Sequence, residues 1–161
     1  MSDALAWSDS TWRPYLGTGS VTAESYRSSF LRLGSGSAAL LTETEHLNRL
    51  EALQDNWDGR ESPPPSRAAI LAAREWLPAL YRATTRTAWS WTAPHVTPSD
   101  AGEVVFEWWK GDRKVTVYFG DGVVEFIKVW GPNVGTEMDS GELSTSEAFG
   151  TLWNWLGARE R

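Results

Sequence analysis

Three acids crowd the stretch LQDNWDGRESPPPS, residues 53–66: Asp55, Asp58 and Glu61. Carboxylates at that density could ligate calcium, so their spacing is tested against a calcium-binding loop. Placing Asp58 and Gly59 at the fifth and sixth positions of an EF-hand puts Gln54 at the first and Pro65 at the twelfth, and both obligatory carboxylates are missing. The stretch reads better as a structural joint. Asn56 and Asp58 favour turns through side-chain to backbone hydrogen bonds, Gly59 permits positive φ, and Trp57 is expected to anchor the turn in the core. Pro63, Pro64 and Pro65 then hold the chain extended until Ser66 can begin a helix.

The remaining chemistry-bearing residues are sparse. Glu103 and Glu107 share one side of a predicted strand, a spacing that raises a glycosidase-like acid and base pair. With Asp58 they define a carboxylate-dependent hydrolase as one alternative function; solvated strand carboxylates are the commoner case. Only two histidines occur, His46 and His95, with no HExxH spacing, and there is no cysteine. No phosphate loop, nucleophile elbow or dinucleotide fingerprint is present. Neither a metal nor a cofactor is expected.

These residues must be positioned by elements that the hydrophobic pattern predicts. Residues 1–37, rich in Ser, Gly and Thr and dotted with Trp7, Trp12, Tyr15, Tyr26 and Phe30, read as a loosely structured arm; residues 38–161 read as a single α+β domain. A first helix is expected from a Thr42 and Glu45 capping box to about Asp55. A second follows Ser66, with Ile70, Ala73, Leu77 and Leu80 on one face, and Pro78 is expected to end or kink it. From Glu103 the period becomes two. EVVFEWWKGDRKVTVYF is a hairpin turning on Gly111 and Asp112, which pairs Trp108 with Val115, Phe106 with Val117 and Val104 with Phe119 on an apolar face. A strand over residues 123–130 follows. A type I′ turn at Asp121 and Gly122 would send Val124 and Phe126 inward; a three-residue loop would instead send Val123, Ile127 and Val129 inward along with Glu125. A short edge strand is expected around residues 136–139. The last helix is marked by a Ser144 and Glu147 capping box and by Gly157 as its stop. The expected fold is two N-terminal helices, a three- to four-stranded antiparallel meander and a C-terminal helix on the sheet.

The second face of that sheet offers the main candidate site. It collects Val105, Glu107, Trp109, Lys114, Thr116, Tyr118 and Ile127, too apolar a set for plain solvent. Either the arm or a helix covers it, or it is a partner-binding patch. Eleven tryptophans favour an aromatic interface, or alternatively a carbohydrate- or peptide-binding module. The net charge of −6 is uneven, with ten acids against four bases over residues 99–147. That disfavours general nucleic-acid binding and fits a basic protein partner. No membrane span or signal segment is legible, so a cytoplasmic protein is expected.

NWDGRESPPPSRAAILAAREWL followed by PHVTPSDAGEVVFEWWKGDRKVTVYF resembles a loosely defined group of small uncharacterised bacterial proteins. Their pattern is N-W-D-G, a proline, a helix, then P-x-V-x-P-x-x-x-G and a strand ending in E-W. The resemblance covers residues 47–126 and is carried by Asn56, Trp57, Asp58, Gly59, Pro64, Pro98, Gly102, Glu107 and Trp108. It implies a shared α+β body and carries no active site across. The group's toxin–antitoxin and phage-related gene neighbourhoods imply an inhibitor, immunity protein or antitoxin role.

Overall fold

A computed structural model of the chain describes residues 36–158. Residues 1–35 of the expected arm, with its aromatics Trp7, Trp12, Tyr15, Tyr26 and Phe30, lie outside the described residues; its last two, Gly36 and Ser37, belong to the first helix. Within them the fold is α+β: helices α1 (Gly36–Glu51) and α2 (Arg67–Thr84), strands β1 (His95–Pro98), β2 (Val104–Lys110), β3 (Arg113–Phe119), β4 (Val124–Val129) and β5 (Met138–Glu142), then helix α3 (Ser146–Gly157). The sheet is a five-stranded antiparallel meander in chain order, one strand more than the largest number expected.

The first helix starts earlier than its capping spacing predicts. Leu40, Leu47 and Leu50 form one buried stripe, and Leu40 lies upstream of the expected start, so burial extends the helix across Thr42. The Thr42 and Thr44 hydroxyls instead donate back to the carbonyls of Ala38 (3.2 Å) and Leu40 (2.8 Å). The helix ends at Glu51, short of Asp55.

In α2 the Ser66 cap forms as expected, its hydroxyl accepting from the Ala69 amide at 3.0 Å. Pro78 does not end the helix, which continues to Thr84. An internal proline costs about 3 kcal/mol, and burying a leucine contributes about 1.5–3 kcal/mol. Leu77 and Leu80, both buried on either side of Pro78, offset that cost.

The hairpin register is the expected one: Trp108 faces Val115, Phe106 faces Val117 and Val104 faces Phe119. Gly111 has φ 57° and Asp112 has no positive φ, as a type II′ turn requires. The β3–β4 pairing, Phe119 with Val124 and Val117 with Phe126, is that of a two-residue turn and excludes the three-residue alternative. The turn is not type I′, because Gly122 (φ 90°) has positive φ and Asp121 does not. Two strands depart from expectation. β1 was not anticipated, its four residues HVTP being too short to show a period, and β5 lies at residues 138–142 rather than 136–139.

Helices α2 and α3 cover one face of β2 and β3. Between the layers, the rings of Trp108 and Phe149 lie 5.1 Å apart, those of Phe106 and Phe119 4.7 Å, and Trp91 stacks on Trp153 at 5.6 Å. Two indole N–H groups tie residues 89–92 to this core: Trp153 donates to the Trp89 carbonyl (3.0 Å) and Trp108 to that of Thr92 (2.9 Å).

The ends of α3 differ from the sequence expectation. Thr145, not Ser144, is the N-cap, and no side chain bonds there. Gly157 is the last helical residue rather than a left-handed stop; a Cβ on it would meet the Trp89 side chain at 2.9 Å, so glycine is needed for close packing. The helix is closed by cations from the sheet. Lys110 donates to the Gly157 carbonyl (2.7 Å), and Arg113 donates to those of Trp155 (2.5 Å) and Ala158 (3.1 Å). Positive groups at these orphan carbonyls complement the helix dipole.

Candidate binding surface on the outer sheet face

The pleat sends alternate residues away from the helices. By the strand registers this outer face holds His95 and Thr97 of β1, Val105, Glu107 and Trp109 of β2, and Lys114, Thr116 and Tyr118 of β3. Glu125, Ile127 and Val129 of β4 and Met138, Ser140 and Glu142 of β5 complete it. All seven sequence-derived binding residues therefore share one face. They are not equally accessible. Val105 and Thr116 are buried, so they form floor rather than contact, whereas Trp109 is 54% exposed. Of the nine tryptophans among the described residues, Trp109 alone is exposed.

Around Trp109 the face is charged and internally paired. The Lys114 ammonium lies 5.2 Å from the indole centroid and the His95 ring 5.9 Å from it. Glu107 is ion-paired to Lys114, accepts from the Thr116 hydroxyl at 3.4 Å, and lies 3.8 Å from His95 Nδ1. Tyr118 is half-buried, and burial pushes its hydroxyl above the ordinary tyrosine range; Lys114 opposes that rise, while Glu107 and Glu103 add to it.

Toward the β5 edge the same face becomes an open cleft of ≈ 400 Å³, whose lining includes Glu103, Tyr118, Glu125, Ile127, Ser140 and Glu142. Glu103 accepts from the Ser99 hydroxyl at 3.0 Å. Glu125 and Glu142 are direct cross-strand partners, and neither has an ion pair among the described residues. Sequence reasoning missed this acidic end. The acids are visible in the sequence, but their convergence depends on the β4–β5 register, which a five-residue polar strand with no period does not reveal.

The joint at residues 56–59 is where its turn chemistry puts it. Asn56 (φ 63°) and Gly59 (φ 72°) take left-handed conformations. The Asn56 side chain accepts from the Glu61 amide (2.8 Å), and Asp58 accepts from the Arg60 amide (2.9 Å) and the Ser62 hydroxyl (2.7 Å). The Ser62 hydroxyl, then the Arg60 amide, hold the Asp58 carboxyl below its ordinary range. Trp57 is only half-buried, not a core anchor: its indole N–H donates to the Pro63 carbonyl at 3.0 Å, so a hydrogen bond fixes it as much as packing does. The chain after the joint then docks on the β1–β2 turn. Ser66 N–H donates to the Gly102 carbonyl at 2.8 Å, and at Gly102 (φ 81°) a Cβ would approach the Pro64 carbonyl to 3.3 Å.

The carboxylates raised as hydrolase candidates are each engaged elsewhere: Glu103 accepts from Ser99, Glu107 is paired with Lys114, and Asp58 is held within the joint. Among the described residues no three His, Cys, Asp or Glu side chains are grouped to hold a metal, and no helix is long and apolar enough to cross a membrane. Comparison with protein-family models, curated proteins and solved structures gives no match, so the chemistry of this face rests on its own residues.

Proposed function

We propose that this protein is a non-catalytic protein-binding module that meets its partner with the outer face of the sheet. The observation that carries the reading is Trp109: the one exposed tryptophan among the described residues, on a rigid strand, framed by Lys114, His95 and Glu107. A large aromatic anchor inside a charged surround is the usual composition of an interface hot spot. Several exposed tryptophans would favour a sugar-stacking surface; one favours a protein contact. Such a module acts by occupying a partner's surface, as an inhibitor, immunity protein or antitoxin does. The test is affinity capture from the host lysate followed by titration of the captured protein. Trp109→Ala should weaken binding by about 2 kcal/mol or more with an unchanged melting temperature; unchanged affinity would overturn the reading.

A further inference from the structure

The two edges of the sheet are finished differently. β1 is short, half-buried at three of its four residues, and ends in Pro98, a common way to blunt an edge. β5 is exposed at all five residues and, among the described residues, pairs only with β4. Its main-chain groups can be assigned. Leu143 N–H donates to the Val124 carbonyl and Trp130 N–H to that of Glu137. In an antiparallel ladder the bonded pairs recur every second residue, so Gly141 and Asp139 face β4. Met138, Ser140 and Glu142 therefore turn their N–H and C=O groups away from β4, toward the open edge.

The side chains of those same three residues stand on the outer face, where Ser140 and Glu142 line the acidic cleft. Among the described residues, main-chain groups that the ladder leaves unused and acids without an ion pair thus meet at one place. The other strand acids differ. Glu107 is paired with Lys114 and Asp139 with Lys128 (2.9 Å), whereas Glu125 and Glu142 face each other across the ladder, an arrangement that is destabilising by itself.

We propose that β5 is a docking edge at which a basic extended segment of a partner protein adds as a sixth strand, pairing with Met138, Ser140 and Glu142 and laying a lysine or arginine across the Glu142 and Glu125 carboxylates. Neighbouring strands lie about 4.8 Å apart, so Glu125 is two strand spacings from the added chain, within reach of a long cationic side chain, and Tyr118 closes the cleft one strand further on. Charge selects the occupant. A second copy of this chain, at net −6, would bring further acids to the unpaired Glu125 and Glu142; a basic strand meets opposite charge.

The inference rests on reading the outer face as a contact surface, and its test uses the full chain with a fluorescein-labelled ten-residue peptide of alternating lysine and valine. Anisotropy should rise saturably at low salt, and a glutamate–valine counterpart should not bind. Ser140→Pro removes an edge-facing N–H that the β4 ladder does not use; it should weaken the lysine peptide at least tenfold with the melting temperature kept. Glu125→Gln with Glu142→Gln should weaken it as much without lowering the melting temperature, while Asp100→Asn with Asp112→Asn, neutralising two exposed acids elsewhere, should change little. No binding, equal binding by Ser140→Pro, equal loss in the control pair, equal binding of the acidic peptide, or dimerisation of the chain abolished by Ser140→Pro would each overturn it. The two proposals separate in the captured partner. Sensitivity to Trp109→Ala with indifference to Ser140→Pro sinks the edge and keeps the face; the opposite result sinks the Trp109 anchor and keeps the edge.

Discussion

One sheet carries two concentrations of like charge, and they are resolved in opposite ways. On the helix-facing side Lys110, Arg113 and Lys128 gather at the end of α3. There they meet helix carbonyls, the Asp139 carboxylate and the faces of Trp89, Trp155 and Trp130, with Lys128 5.6 Å from the Trp155 centroid and 6.0 Å from that of Trp130. On the other side Glu103, Glu125 and Glu142 gather around Tyr118, and Glu125 and Glu142 have no cation among the described residues. A cluster of one sign is stable in a fold when its complement is built in. The basic cluster has that complement within the chain, and the acidic one offers its charge outward.

The sharpest way to break this contrast uses neighbouring residues of one strand. Trp108→Ala should cost about 3–5 kcal/mol in a denaturant melt, as for a buried aromatic, whereas Trp109→Ala should stay within about 0.5 kcal/mol. Equal losses would mean that the outer face is as closed as the inner one. Next in size, Arg113→Ala removes a charged donor from two helix carbonyls and should destabilise by about 2 kcal/mol; a neutral result would show the basic cluster to be ornamental. Glu142→Gln should act in the other direction. Relieving the cross-strand repulsion with Glu125 should stabilise the free protein by about 0.2–1 kcal/mol, an effect that fades as salt is raised.

Asp58 supplies the smallest and most local effect. Its pKa is depressed in the folded protein, so its hydrogen bonds to Arg60 and Ser62 are fully present above the unfolded value of about 3.9 and are lost as pH falls through the lower folded value. The protection of the Arg60 amide relative to its intrinsic exchange rate should therefore fall at acid pH in the wild type, and Asp58→Asn should keep the fold while removing that pH dependence of the protection.

What could be read from the sequence was whatever two independent local signals agreed on. In the β2–β3 hairpin the Gly111 turn and the alternation of Val104, Phe106 and Trp108 demand the same register, and that register is present. Ser66 was legible as a cap because the apolar stripe that begins at Ile70 starts one turn after it, and the cap forms there. Where only one signal existed, tertiary burial decided. Leu40 overrode the Thr42 capping box, and Leu77 with Leu80 overrode Pro78. Gly157 reads as a stop for want of any sequence mark that Trp89 would lie against it. The candidate site divides along the same line: the β2–β3 residues fall on one face as their period demands, but that Val105 and Thr116 are floor, and that Glu125 meets Glu142, depends on neighbours far away in the chain.

The closure of α3 by Lys110 and Arg113 also orders events in time. The hairpin that presents both cations turns on two residues and is local, whereas the bonds it makes to α3 span 42–47 residues of chain. A contact across so long a loop is rewarded only after its closure entropy is met, so the cationic latch is expected to close after the barrier and to be lost early on unfolding. Its loss should appear almost wholly in the unfolding limb of a chevron plot: Arg113→Ala should shorten the lifetime of the native state while leaving the rate of reaching it nearly unchanged.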